Sequence, residues 1–168
     1  MKKFIFYVSA MVLLFATSCL NGENTGPSSS AEYYGELTVT DTESGEISYF
    51  DEDGQVVVTI PNIYEAKFDI VFKGVKFDKM MPALNVSVEG VPFSNTISED
   101  ETTINYIFSA ENIIPSVGGV SYKNYKIDKI EGCIGRNIDI NFTMSSKGKS
   151  VNFTNNINVL DSAAASEE

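Results

Sequence analysis

Histidine and tryptophan are absent from this chain of 168 residues, and cysteine occurs only twice. Without histidine, Ser-His-Asp and Cys-His catalysis, imidazole metal sites and imidazole pH sensors are excluded. Basic residues are few, since 12 Lys and Arg face 23 Asp and Glu, and the net charge is −11. The lysines are spaced between acids and are expected to be solvated, whereas nucleic-acid binding needs a dense basic patch. We therefore predict a protein that is not an enzyme, that uses no cofactor or metal, and that does not bind nucleic acid.

The sequence also lacks an apolar run long enough to cross a membrane as a helix. Its most apolar stretch, residues 4–15, follows Lys2 and Lys3 and is shorter than the ~20 residues that a bilayer requires. A basic start, an apolar run and a group of small residues are typical of a signal peptide. Residues 1–18 are therefore predicted to be a signal peptide.

Cys19 follows this segment and is the predicted membrane anchor. The residues Ala16-Thr17-Ser18-Cys19 resemble a bacterial lipobox, in which the signal is cut before a cysteine that is then acylated. Residues 19–32, rich in Gly and Ser, are predicted to form a flexible tether. We expect lipid anchoring at the bacterial outer membrane, with the periplasmic and the surface face both open. An ordinary cleaved signal, which would leave a soluble periplasmic or secreted protein, is the alternative.

From Tyr33 onward the apolar residues recur with a period of two, which is typical of strands with one solvated face. No segment after residue 18 carries a helical stripe. The alternating groups are Leu37 and Val39; Ile47 and Tyr49; Val56, Val58 and Ile60; Phe68, Ile70 and Phe72; Leu84, Val86 and Val88; Ile104, Tyr106 and Phe108; Ile138, Ile140 and Phe142; and Val151 and Phe153. The pattern predicts eight to ten strands.

Three glycines are predicted to shape these strands. Asp53-Gly54 is a strong signal for a two-residue hairpin, so it predicts a turn between the strands around Tyr49 and Val56. At Gly74 and Gly90 the apolar residues change parity, which predicts β-bulges. Bulges bend and twist strands, as the closing of a sheet into a barrel requires.

Short turns between consecutive strands favour an antiparallel meander that closes on itself, because closure removes exposed edges. The predicted fold is all-β: an up-and-down antiparallel barrel of about eight strands over residues 33–160, followed by an acidic tail at 161–168. An immunoglobulin-like sandwich is the alternative.

The segments Tyr33-Tyr34-Gly35-Glu36-Leu37-Thr38-Val39, Val56 to Asn62 and Lys73-Gly74-Val75, together with the spacing of the later strands, resemble the calycin-like (lipocalin-like) β-barrel lipoproteins of Bacteroidetes. The resemblance covers roughly residues 33–160. It implies a calycin-like barrel in the cell envelope and carries over no catalytic or binding residue. True lipocalins have a Gly-x-Trp near the first strand, and the absence of tryptophan argues against lipocalin ligand chemistry here.

Two acidic clusters are candidate cation sites. Asp51-Glu52-Asp53-Gly54 has the clustered carboxylates and the glycine of part of a calcium loop, but it lacks the later bidentate glutamate. We expect a solvated turn there, and a solvated loop at residues 99–101.

Five tyrosines are expected at strand ends or loops, where an aromatic ring with a polar tip can contact a ligand or a protein. They are Tyr33, Tyr34, Tyr64, Tyr122 and Tyr125. Packing at the barrel rim is the alternative. Separately, Asp161-Ser162-Ala163 resembles the acceptor triplet of the Bacteroidetes O-glycosylation pathway, which makes Ser162 a candidate glycosylation site, with a chance match as the alternative.

The residues predicted to point inward are mostly bulky. They include Phe68, Phe72, Tyr106, Phe108, Phe142 and Phe153. Side chains of this size fill an eight-stranded barrel, so we expect a protein-interaction or structural module that acts through its rim and loops. The alternative is a carrier that holds a small apolar ligand inside the barrel.

Overall fold

The computed structural model describes residues 28–77, 79–97 and 104–155. The predicted signal peptide, Cys19, most of the predicted tether, the acidic cluster at 99–101 and the tail with Ser162 lie outside the described residues.

Ten strands and two short 3₁₀ turns follow one another along the described chain. The strands are β1 (Ser29–Asp41), β2 (Ile47–Ile60), β3 (Lys67–Val75), β4 (Leu84–Ile97), β5 (Ile104–Ile113), β6 (Ser116–Val117), β7 (Val120–Ser121), β8 (Ile127–Ile134), β9 (Ile138–Met144) and β10 (Lys149–Thr154). The 3₁₀ turns are η1 (Lys123–Tyr125), before β8, and η2 (Ser145–Lys147), before β10. Among the described residues there is no α-helix, as the period-two pattern predicts. No helix there is long and apolar enough to span a membrane.

Eight of these strands form a closed barrel. They pair in the order β3-β2-β1-β10-β9-β8-β5-β4, and β4 pairs again with β3. Every pairing is antiparallel. The strands β6 and β7 form a small hairpin against β4. The predicted all-β antiparallel barrel is confirmed, and the sandwich alternative is wrong because the sheet closes on itself.

The alternation of apolar residues places one face of each strand inside the barrel. Five of the six bulky residues predicted to point inward are buried, and Tyr106 is half-buried. Phe72 of β3 and Phe142 of β9 contact each other with ring centroids 5.1 Å apart. Since β3 and β9 are four strands apart in either direction around the barrel, this contact bridges the interior.

The predicted bulges at Gly74 and Gly90 are confirmed. The β3–β4 register shifts between Phe72 and Val75 and again between Phe68 and Ile70, next to the two glycines. Gly74 has a φ of 66° and Gly90 a φ of 68°. Each glycine N–H donates to a side chain of the facing strand, at 3.1 Å to Asn85 Oδ1 and at 2.8 Å to Asp69 Oδ1. The two strands thus fix each other's bulges.

The hairpin predicted at Asp53-Gly54 is wrong, because β2 runs without interruption from Ile47 to Ile60. The turn lies earlier, at residues 42–46, where Asp41 Oδ1 accepts the N–H groups of Glu43 and Ser44, both at 3.0 Å. Gly54 serves close packing instead: a Cβ at this position would lie 2.8 Å from the Cβ of Leu37 on β1. The sequence signal is the same for both uses of a glycine.

Strand β1 begins at Ser29, inside the stretch of residues 19–32 that is predicted to be a tether. Ser29 pairs with Ile60, and the pairing continues along β2. The residues before Tyr33 alternate between half-buried and exposed positions, but serine and glutamate hide the strand pattern in the sequence. The described domain therefore starts four residues earlier than predicted.

The barrel has two distinct ends. At the entry end, β1 begins and β10 ends, beside the loops at residues 61–66 and 135–137. The far end carries the turns at residues 42–46 and 145–148, the loop after β3 at 76–83, and the connection from β5 to β8.

Candidate functional site

The five tyrosines predicted as contact residues are divided between the two ends of the barrel. Tyr33 and Tyr34 lie in the first half of β1, and Tyr64 lies in the loop at residues 61–66, so these three belong to the entry end. Tyr122 and Tyr125 lie in the connection from β5 to β8, at the far end. The structure therefore forms two separate candidate surfaces.

At the entry end the three tyrosines have different surroundings. Tyr33 is half-buried and packs against the core, and its pKa is raised by burial and, to a smaller extent, by Tyr106. Tyr34 lies on the outer wall, where its hydroxyl donates to Glu32 Oε2 at 3.2 Å and accepts from Gln55 Nε2 at 3.2 Å. Tyr64 is 81% exposed. Only Tyr33 lines the mouth of the barrel.

The mouth at the entry end is apolar. Ile97 and Ile104 pair with each other on β4 and β5, in phase with the inward pair Phe93 and Phe108, yet they are 70% and 53% exposed. Below them, Phe93 stacks on Phe68 at 4.1 Å between ring centroids. The two isoleucines were missed as site residues, although their parity with Phe93 and Phe108 was the available signal.

A shallow groove on the barrel wall reaches the same aromatic rings. Strands β4 and β5 pair only from Phe93–Phe108 to Ile97–Ile104, while β4 pairs with β6 at its other end. Pro92, which has no N–H to donate to β5, directly precedes Phe93, the last β4 residue that pairs with β5 at this end. The groove has a volume of about 300 Å³ and is lined by Pro92, Phe93, Ser94, Ile107, Phe108 and Ser109.

At the far end, three loops meet at Tyr125. Its ring lies 5.5 Å from that of Phe77, and its hydroxyl lies 3.9 Å from Met81 Sδ, so it contacts both sides of the loop after β3. Lys147 of η2 places its Nζ 4.6 Å from the centre of the same ring. Tyr122, which is 41% exposed, packs edge-on against Tyr125 at 6.2 Å. The contacts of Tyr125 thus join the loops of the far end into one packed surface, on which Tyr122 is exposed.

The two 3₁₀ turns are fixed against each other. Ser146 Oγ of η2 donates to the carbonyl oxygen of Asn124 in η1 at 3.3 Å. The Ser145 N–H donates to Asp128 Oδ2, and this hydrogen bond lowers the pKa of the Asp128 carboxyl. The first contact joins η1 to η2 and the second joins η2 to the start of β8, so these segments form one unit.

The structure places four lysines around this unit, although their spacing in the sequence predicts dispersed, solvated positions. Lys123 and Lys126 belong to η1 and its C-cap, Lys147 ends η2, and Lys79 lies between Phe77 and Met81. Within the described chain the ion pairs are Lys67–Glu65, Lys129–Glu131 and Lys149–Asp41, so none of these four lysines is ion-paired there. Their convergence follows from loops that are distant in sequence.

The acidic stretch Asp51-Glu52-Asp53-Gly54 lies within β2. Asp51 accepts the Tyr49 hydroxyl and the Asp53 N–H, both at 3.1 Å. No group of three or more His, Cys, Asp or Glu that suits a metal ion occurs among the residues that the structure describes. The expected turn at this position is corrected to a strand segment.

Comparisons with protein-family models, with curated proteins and with solved structures return no match for this chain. Three geometric features remain for a functional assignment: the bridged interior, the apolar mouth at the entry end, and the tyrosines and lysines at the far end.

Proposed function

We propose that this chain is a non-enzymatic, lipid-anchored envelope lipoprotein whose calycin-like barrel binds a protein partner through the loops of its far end. The contact between Phe72 and Phe142 carries the proposal. Because these rings meet across the interior, the barrel centre is occupied by the protein's own side chains. Binding is then left to the ends and the outer surface.

The far end has the composition of an interaction surface. Tyrosine is enriched in protein interfaces because it combines a large apolar ring with a polar tip. Tyr122 presents such a ring at the surface, and its neighbour Tyr125 is held by Phe77 and Lys147. Loops on a rigid barrel are also the usual place for binding residues.

The position of the predicted anchor also favours the far end as the binding surface. Cys19 lies about ten residues before Ser29, so an extended tether between them spans at most ~35 Å. The tether joins the barrel at the entry end, where β1 begins. A lipid on Cys19 would therefore attach the barrel through its entry end and leave the far end free for partners in the envelope.

Site-specific photocrosslinking in the anchored full chain tests this function. A benzoylphenylalanine at position 122 should give an adduct of discrete size in cells. The same residue at position 64 is the control, because Tyr64 is 81% exposed but lies in the loop at residues 61–66, at the entry end. Equal adducts at both positions, or none at position 122, would contradict the proposal.

A second candidate function is the carriage of a small apolar molecule in the mouth at the entry end. The exposed Ile97 and Ile104 above the stacked Phe68 and Phe93 favour it. Native mass spectrometry of the purified chain distinguishes the two functions. An apolar molecule retained at one-to-one stoichiometry and lost in Ile104→Asp would favour the carrier, whereas an unliganded protein would favour the interaction module.

A further inference from the structure

Positive charge is unevenly distributed over the barrel. Of the described basic residues, only Lys67 and Arg136 lie at the entry end. Lys67 is the first residue of β3, and Arg136 lies in the turn at residues 135–137. The other lysines lie on far-end loops or on strand segments next to them. The far end of this acidic chain is therefore its most basic part.

Among the described residues, no carboxylate of the far end forms an ion pair with Lys79, Lys123, Lys126 or Lys147. Asp41 is engaged by the N–H groups of its own turn and by Lys149, which lies 3.3 Å from Asp41 Oδ2. Asp128 accepts the Ser145 N–H, which lowers its pKa, and the positive charge of Lys126 lowers that pKa further without forming an ion pair. Glu43 and Glu46 are exposed in the turn at residues 42–46, and within the described chain neither forms an ion pair.

The lysines lie on a surface that is already ordered. The Lys147 ammonium group lies over the Tyr125 ring, and η1 and η2 are joined by the hydrogen bond from Ser146 to Asn124. A cation held over a ring has lost part of its rotamer freedom before binding, so a partner loses less entropy in ordering it. Exposed lysines beside exposed tyrosine attract anionic groups and give them an apolar ring to pack on.

We propose that the far end recognises an acidic polypeptide segment of its partner, through a Lys–Tyr surface formed by Lys79, Tyr122, Lys123, Lys126 and Lys147. This inference rests on the proposed interaction function and names the chemistry of the partner. Opposite charge across an interface speeds encounter and selects partners. A polypeptide is favoured over a lipid surface because the Lys–Tyr surface lies at the opposite end from Ser29, where the predicted tether joins.

Binding of a fluorescent decaglutamate peptide to the full chain in detergent tests the inference by anisotropy. The variant Lys123→Glu/Lys147→Glu should weaken binding at least tenfold. Its matched control, Lys67→Glu/Arg136→Glu, makes the same change in net charge at the entry end and should keep binding within twofold. Lys123→Gln/Lys147→Gln should give an intermediate loss, and because these lysines are exposed, all variants should keep the melting temperature.

Two outcomes would overturn the inference. Equal losses in the far-end and entry-end variants would show a response to net charge alone. Binding to phosphatidylglycerol vesicles without binding to decaglutamate would assign the surface to a membrane. The photocrosslink at position 122 separates this inference from the function on which it rests: an adduct that persists in Lys123→Glu/Lys147→Glu contradicts only the acidic partner, whereas no adduct in the wild type contradicts the function itself.

Discussion

Gly74 and Gly90 each have a positive φ, a backbone conformation that residues other than glycine adopt only at a cost in free energy. A Cβ added at either position would meet no atom within 4 Å, so space is not the constraint. The constraint is the backbone itself, which must bend β3 and β4 where their registers shift. The destabilisation caused by a substitution at these sites therefore depends on how readily the new residue adopts the left-handed region.

Gly74→Val is expected to lower the free energy of unfolding by about 1–3 kcal/mol, because a β-branched residue is strained at positive φ. Gly74→Asn should cost clearly less, since asparagine tolerates this region. Urea unfolding of both variants measures the difference. An unchanged midpoint in Gly74→Val, or equal losses in both variants, would refute the explanation by φ.

Asp41 couples stability to acid pH. The N–H groups of Ser44 and Glu43, followed by Lys149, lower its pKa to about 2. An unfolded aspartate has a pKa of ~3.9, so the stabilisation is complete above that value and is lost as the pH falls toward 2. Asp41→Asn should show a smaller drop of the urea midpoint between pH 5 and pH 2.5 than the wild type.

The control for this pH experiment is Asp53→Asn. The Asp53 carboxylate accepts no hydrogen bond within the described residues, so this variant should keep the wild-type drop. A drop of the same size in Asp41→Asn and in the wild type would show that the turn does not hold the Asp41 carboxylate in its charged form.

At the scale of the strands, alternation of apolar residues was sufficient to predict β3, β4, β5, β9 and β10. It failed where a polar or glycine-rich strand resembles a turn, as at Asp53-Gly54, which lies in the middle of β2. The reason is that the sequence shows only that a glycine is present, and a glycine suits both a hairpin turn and a closely packed position in a strand. Only the neighbouring strand shows that Gly54 and Gly35 face each other at a close approach.

Gly35 lies where β1 meets β10 and closes the barrel. A Cβ here would overlap the carbonyl oxygen of Thr154 and would lie 2.8 Å from the Cβ of Asn155. Gly35→Val should therefore destabilise the chain by about 1–3 kcal/mol through overpacking at the closure. Glu36→Ala, an exposed neighbour on the same strand, should change stability by no more than about 0.5 kcal/mol. Chemical unfolding of the two variants decides, and similar midpoints would contradict the role of Gly35.

At the scale of the whole molecule, closure depends on a stagger between strands. β1 pairs with β2 along nearly its full length, but with β10 only from Glu36 to Asp41. Strands in a closed barrel are tilted and offset in this way. Because the eight barrel strands alternate in direction, the start of β1 and the end of β10 lie at one end, and four connections lie at the other.

Attachment of the whole molecule to a membrane is predicted to depend on Cys19. Cys19→Ser should move the protein from the membrane fraction to the soluble fraction, because no acyl chain can then be attached. Ala16→Leu, which keeps the cysteine, should leave the protein on the membrane. Fractionation after a high-salt wash measures both variants, and a Cys19→Ser protein that stays with the membrane would place the anchor elsewhere.

The sequence by itself determined the all-β class and the two bulges, because period-two alternation and parity changes are local properties that neighbouring residues encode, whereas the choice of a closed barrel over a sandwich came from the β3–β4 pairing. It also determined a bulky interior, since the identity of the inward side chains is set by parity. Only the tertiary structure decided which tyrosines and lysines lie together. Phe77, Tyr125 and Lys147 come from three connections far apart in the chain, and the strand register that closes the barrel brings them into contact.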